Sequence, residues 1–242
     1  MRRFSLAVST ALAGTLLAGP GAGAADAETC NGTFGDDRTL ASLVVPDDAT
    51  CNIGPDTSVT VDGKVDVGAN AVLRVQRGQG GTRGTLRAGG DMSLDPGSSF
   101  FDGGKLILKG RMIGRPEKVA VINDAFIGGR VTLAAVSKSV ELEDVSIDGD
   151  LEIGSGRGGT LITKVHVDGD VSVRDKRFGS MGIYDSTMDR LTVVDNIVTS
   201  IRIRDNIIAK QFTCLRNQSD SFALGNLVAG VSRTVSCAGR GS

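Results

Sequence analysis

From Val59 to Cys214 the chain is written in short bursts of alternating apolar and polar residues, among them Val59-Thr60-Val61, Val65-Asp66-Val67, Met92-Ser93-Leu94, Leu151-Glu152-Ile153 and Val171-Ser172-Val173. A period of two over so few positions predicts short β-strands with one buried face, and no stretch shows the 3.6-residue rhythm of an amphipathic helix. The bursts are themselves periodic. A small residue, a charged residue and then apolar-x-apolar recur at Gly90-Asp91, Gly110-Arg111, Gly129-Arg130, Gly149-Asp150, Gly169-Asp170 and Asp189-Arg190, about 20 residues apart. A second phrase precedes the later copies and carries Asp124, Asp144, Lys164, Asp185 and Asp205 at its matching position.

A unit of 20 residues with two or three short strands cannot bury its apolar face alone, whereas stacked units can. The pattern therefore predicts an all-β fold, a parallel β-helix (solenoid) of about eight coils with Val, Ile, Leu and Met aligned inward. Gly and Asp suit its corners, where the backbone bends through positive φ. Eight coils at about 4.8 Å make a rod on the order of 40 Å long. The preference of parallel crossovers makes it right-handed. The wider gap between Gly63 and Gly90 places a bulging loop at residues 76–84.

Composition then narrows the chemistry. The chain has 34 Gly among 242 residues, one His, one Tyr and no Trp. One His excludes a multi-histidine metal site and leaves a Ser-His-Asp arrangement only if His166 is the base. His166 lies between Val165 and Val167, so in a strand its ring faces outward. The 27 basic residues are scattered among 28 acidic ones for a net charge of −1, which argues against a nucleic-acid partner.

Arg2 and Arg3, an apolar run over residues 6–18 and small residues at Ala22, Ala24, Ala25 and Ala27 predict a cleaved signal peptide over residues 1–27. The run is too short to span a membrane. The expectation is a secreted, extracellular protein with no membrane span. An even number of cysteines in such a chain points to disulfides. Cys30, Cys51, Cys214 and Cys237 allow three pairings, and the expected one is local, Cys30 with Cys51 and Cys214 with Cys237. Each closes a loop of roughly 20 residues, worth about 3 kcal/mol by loop-closure entropy. The expected organisation is an N-terminal cap over 28–56, repeats over 57–213 and a C-terminal cap over 214–242, the caps covering strand edges that would otherwise template aggregation.

The phrases Cys30-Asn31-Gly32-Thr33-Phe34 and Val44-Val45-Pro46-Asp47-Asp48-Ala49-Thr50-Cys51, with Gly225-Asn226-Leu227-Val228 before Cys237, resemble those of secreted actinobacterial right-handed β-helix proteins. That family is largely without assigned activity, so the resemblance implies fold and secretion rather than chemistry. A more distant similarity is to bactofilins and to β-helices of the pectate-lyase type.

Candidate chemistry divides between a structural and a functional account. Asp124, Asp144, Asp185 and Asp205 would stack along one corner, as turn residues or as an acid/base pair for a glycosidase or a Ca²⁺-assisted lyase. The turn account is preferred, because a repeated position serves the repeat while a catalytic site is singular. Asp148-Gly149-Asp150 and Asp168-Gly169-Asp170 fall short of serial calcium-binding repeats, so no cofactor is expected, with Ca²⁺ the alternative. Arg202 and Arg204 share an outer face and, with Arg174, Lys176 and Arg177, form a candidate patch for an anionic glycan. Phe100, Phe101, Phe126, Phe178, Phe212 and Phe222 read as core or cap fillers, which leaves Tyr184 as the one ring suited to stacking on sugar. The expectation is a monomeric, non-catalytic protein with a structural, surface-associated or binding role, its partner an extracellular polysaccharide or cell-wall polymer. The alternative is a polysaccharide lyase or glycoside hydrolase.

Overall fold

The computed structural model describes residues 27–229 and Cys237; all of the predicted export signal but its last residue, Ala27, lies outside the described residues, as does most of the chain after 229. The described residues wind as a parallel β-solenoid of ten coils, each contributing to three strand ladders, here called sheets 1, 2 and 3. In coil 7 the three segments are Leu151–Ile153, Gly159–Thr163 and His166–Val167. In coils 5 and 6 sheets 2 and 3 share one long strand, Lys118–Ile127 and Ser139–Ile147. Further on, Thr187–Val194 and Ile207–Leu215 each run from sheet 3 of one coil into sheet 1 of the next. The sequence suggested eight coils. Ten are present because the cysteine-bearing segments follow the same three-sided course, with Ala27–Thr29, Gly32–Phe34 and Arg38–Leu40 forming the first and Gln218–Leu224 and Leu227–Val228 closing the last.

Register explains the periodicity. In sheet 1, Val65, Met92, Met112, Val131, Leu151, Val171 and Leu191 pair in succession and all are fully buried. Each such side chain removed from water contributes on the order of 1.5–3 kcal/mol, which is what drives the stacking. The glycines that open each phrase sit where sheet 3 turns into sheet 1, and there adjacent coils touch through backbone. A Cβ on Gly110 would collide with the Gly90 carbonyl. At Asp189 the ladder to the next coil slips by a bulge, with Ala209 and Lys210 both opposite this one residue. The charged residues of the same phrase pair across coils: Arg111 with Asp91 at 2.7 Å, Arg130 with Asp150 at 2.8 Å and Arg190 with Asp170 at 3.0 Å. Arg111 holds the Asp91 carboxyl below its ordinary range through side-chain and backbone hydrogen bonds.

Disulfides join Cys30 to Cys51, tying coil 1 to coil 2, and Cys214 to Cys237 at the far end. Residues 76–84 do leave the solenoid, at the corner between sheets 2 and 3, as a loop closed by Gly78 N to Thr82 O and Gly84 N to Gln76 O and tipped by a short 3₁₀ turn, Gln79–Gly81. Among the described residues no helix is long and apolar enough to cross a membrane.

Asparagine takes over the core at the C-terminal corners. Asn196 and Asn217 lie inward where sheet 1 turns into sheet 2, and Asn206, followed by Asn226, does so where sheet 2 turns into sheet 3; the first three are buried. The side chain of Asn217 accepts the amide of Asn196, the side chain of Asn196 accepts the amide of Lys176, and Asn226 and Asn206 repeat this towards Asn206 and Ser186. These ladders satisfy backbone groups that the corners take out of sheet pairing.

Two inward positions carry charge instead. Lys176 is 1% exposed with no partner for Nζ, and burial draws its amine down to about 8, so it belongs to the core and not to the outer basic patch read from the sequence. Asp102 stands in the inward column between Val75 and Val121, also 1% exposed; Oδ1 accepts the Gly104 amide at 3.0 Å and Oδ2 has no partner. Burial pushes this carboxyl up to about 7, against the opposing pull of the Gly104 amide and the Arg83 charge. A carboxyl raised above its unfolded value of about 3.9 keeps a proton in the folded state that the unfolded chain has released, so stability falls as pH climbs from about 4 to about 7. Asp102→Asn is expected to abolish this fall, giving a melting temperature several degrees above wild type at pH 8 and equal to it near pH 4. A variant that tracks wild type at both pH values would show that Asp102 does not titrate in this range.

Candidate functional site

The column of Asp124, Asp144, Lys164, Asp185 and Asp205 lies at the corner between sheets 2 and 3, and all five adopt the left-handed conformation, with φ of 66°, 53°, 53°, 49° and 57°. Asp and Asn tolerate this region better than most residues, which accounts for a repeated Asp. The amides of Lys164, Asp185 and Asp205 donate to carbonyls of Tyr184, Arg204 and Leu224 in the next coil. Asp124 also faces Lys105 at 3.6 Å and Arg83 at 4.0 Å. These residues are corner pieces with outward side chains, four carboxylates and the Lys164 amine. Of the two Asp-Gly-Asp triplets, Asp150 and Asp170 are taken up by Arg130 and Arg190, and Asp168 by His166 at 2.8 Å. His166 is exposed as expected. Among the described residues no group of three or more His, Cys, Asp or Glu side chains converges as for a metal ion.

The outer face of sheet 2 differs from the other faces. Three columns of side chains run along it. The first holds Lys118, Ser139, Gly159, Ser180, Ser200 and Asp220, and the second Arg74, Phe101, Ala120, Glu141, Leu161, Gly182 and Arg202. The third holds Glu143, Thr163, Tyr184 and Arg204. Over coils 6 to 9 this face is hollowed into an open groove of about 460 Å³, with Gly159 and Gly182 in its floor, Glu141 at one end and Arg202 at the other. The ring of Tyr184 lies across Gly182, and a Cβ there would displace the ring. Leu161, 36% exposed, stands beside it.

Charge on this face is uncompensated. At the corner between sheets 3 and 1 Arg111, Arg130 and Arg190 pair with carboxylates of neighbouring coils, whereas among the described residues Glu141, Glu143 and Arg202 have no ion-pair partner and Arg204 reaches only Asp205, at 3.9 Å. Glu141 and Arg202 are three strands apart, about 14 Å, beyond pairing distance within one chain.

No family model, no curated protein and no solved structure matches this chain. What stands of the resemblance read from the sequence is the parallel β-solenoid itself.

Arg202 and Arg204 share the face as expected, but Arg174 ends a strand of sheet 1 and donates to Ser172. The aromatic residues are also sorted differently from the sequence reading. Phe100 and Phe212 are buried, but Phe178 is 64% exposed at a left-handed corner, and Phe101 faces outward between Arg74 and Lys118, 5.3 and 5.2 Å from its ring centre. The side chain of Phe222 lies outside the described set. The sequence signal for the groove was the pair of glycines in strand rather than corner positions, Gly159 opening Gly159–Thr163 and Gly182 inside Ser180–Tyr184.

Proposed function

We propose that the chain is an exported, non-catalytic β-solenoid that serves as a rigid extracellular scaffold and makes its contacts through the outer face of sheet 2. The observation that carries this is the groove over coils 6 to 9 of that face, with Glu141 at one end and Arg202 at the other, neither with an ion-pair partner among the described residues. Two disulfides are consistent with a non-cytoplasmic location. A hydrolase needs two carboxylates about 5–10 Å apart. The groove is lined by one, Glu141, and the Asp column stands at the corner outside it.

The test is incubation with neutral and acidic polysaccharides and with insoluble cell wall, with and without Ca²⁺. New reducing ends, unsaturated products and co-sedimentation are followed. No turnover is expected, and retention on anionic wall polymer is expected to fall when Arg202 and Arg204 are both changed to Glu. Turnover of one polymer would overturn the non-catalytic reading, and retention indifferent to the two arginines would move the contact face elsewhere.

A further inference from the structure

The order of charges along sheet 2 specifies a partner. Reading coil by coil, Lys118 lies in coil 5, Glu141 and Glu143 in coil 6, Leu161 and Thr163 in coil 7, Gly182 and Tyr184 in coil 8, Arg202 and Arg204 in coil 9 and Asp220 in coil 10. The series is plus, minus, apolar, apolar, plus, minus. Turned end for end it becomes its own complement.

We propose that this face pairs with the same face of a second copy about a two-fold axis that runs along the strands between coils 7 and 8; the proposal rests on sheet 2 being the contact face. Such an axis reverses the order of coils and keeps each residue in its column. Coil 6 then meets coil 9, so Glu141 faces Arg202 in the middle column and Glu143 faces Arg204 in the outer one. Lys118 faces Asp220 in the first column. At the centre Leu161 of each copy meets the Tyr184 ring that lies across Gly182 of the other, an apolar contact. A two-fold interface is isologous, so every contact occurs twice and the four glutamate–arginine pairs need only four residue types of position. The other face-to-face arrangement, with the axis along the solenoid, sets Glu141 against Glu141 and Arg202 against Arg202, and like charges exclude it. An anionic polymer engages only the arginine end of the groove, whereas a second copy matches both ends.

The area sets the strength. Five inter-strand steps of about 4.8 Å by five residues at about 3.3 Å give a projected footprint of roughly 400 Å² per copy, which belongs with small, reversible interfaces. Dimerisation is therefore concentration-dependent, and because the pairs sit near solvent it is weakened by salt.

Sedimentation velocity over a wide concentration range tests this on the wild type and two variants, Glu141→Arg/Glu143→Arg and Arg202→Glu/Arg204→Glu. Wild type is expected to dimerise at low salt, with Kd rising about tenfold or more in high salt. Each variant alone is expected to stay monomeric with an unchanged far-UV spectrum, since its charges now meet like charges. An equimolar mixture of the two is expected to associate again, because the reversed pair of one variant meets the reversed pair of the other, and native meets native, in each case with opposite charge. That rescue also shows both variants folded. Wild type monomeric at every concentration, or a mixture that does not associate, overturns the proposal. Failure of the proposal and failure of the contact-face reading separate on Glu141→Arg/Glu143→Arg: binding of anionic polymer that rises while wild type remains monomeric removes self-pairing and keeps sheet 2 as the contact face.

Discussion

Val171→Asp is expected to lower the melting temperature by more than 10 °C or to leave no cooperative transition at all, an effect on the order of 5 kcal/mol. Val171 has no exposed surface and sits in register between Leu151 and Leu191. A carboxylate there loses the burial of the valine and gains no donor, since its neighbours along the column are aliphatic. The damage extends beyond one residue. In a stacked array each coil is stabilised by its two neighbours, so a defect in coil 8 weakens the connection between the coils before and after it. The check is a thermal and urea melt by far-UV circular dichroism, with Ser172→Asp as the control. Ser172 points outward on the same strand, beside Arg174, and its substitution is expected to change stability by less than about 0.5 kcal/mol. Equal behaviour of the two variants would mean that the inward face is wrongly assigned.

That pair of variants rests on a phase legible in the sequence. Val171-Ser172-Val173 declares its buried face because a strand in a narrow solenoid has one side against its own core and the other against water. The corner Asp column is legible for the same reason, since a position that recurs every 20 residues marks a recurring backbone demand, here positive φ. Register is what the sequence conceals. Glu141 and Arg202 are distant in the chain and neither stands out in composition, and they share a column only once each coil is laid on the last. Lys176 misleads because it follows Arg174 and Asp175 and precedes Arg177, and so looks like one of a charged run. The corner at Asp175, with φ of 55°, turns the next residue inward, and Asn196 and Asn217 follow Asp195 and Arg216 at equivalent corners. The left-handed residue followed by Asn was visible as a recurring dipeptide, and its meaning depended on knowing which way the second residue points.

The asparagine ladder makes the second large prediction, that Asn206→Leu destabilises by about 4 kcal/mol although leucine is close in volume and more apolar. The side chain of Asn206 accepts the Ser186 amide at 3.0 Å, and its Nδ2 donates to the Ile183 carbonyl and to Oδ1 of Asn226, each at 2.9 Å. Leucine leaves the Ser186 N–H and the Ile183 carbonyl without partners in a corner that excludes water, and each such orphan costs about 1–3 kcal/mol. Added apolar contact offsets part of this, but it cannot supply a donor or an acceptor. Asn206→Asp keeps the acceptor for Ser186 and loses the donor, so its loss of stability is expected to fall between wild type and leucine. Hydrogen exchange distinguishes a broken ladder from a merely loosened core: the Ser186 amide, protected in wild type, is expected to exchange much faster in the leucine variant, while the amide of Leu191, within the strand on the opposite side of the corner, keeps most of its protection. A leucine variant that melts like wild type would mean that the corner's backbone groups find other partners, and that the ladder organises the C-terminal coils without stabilising them.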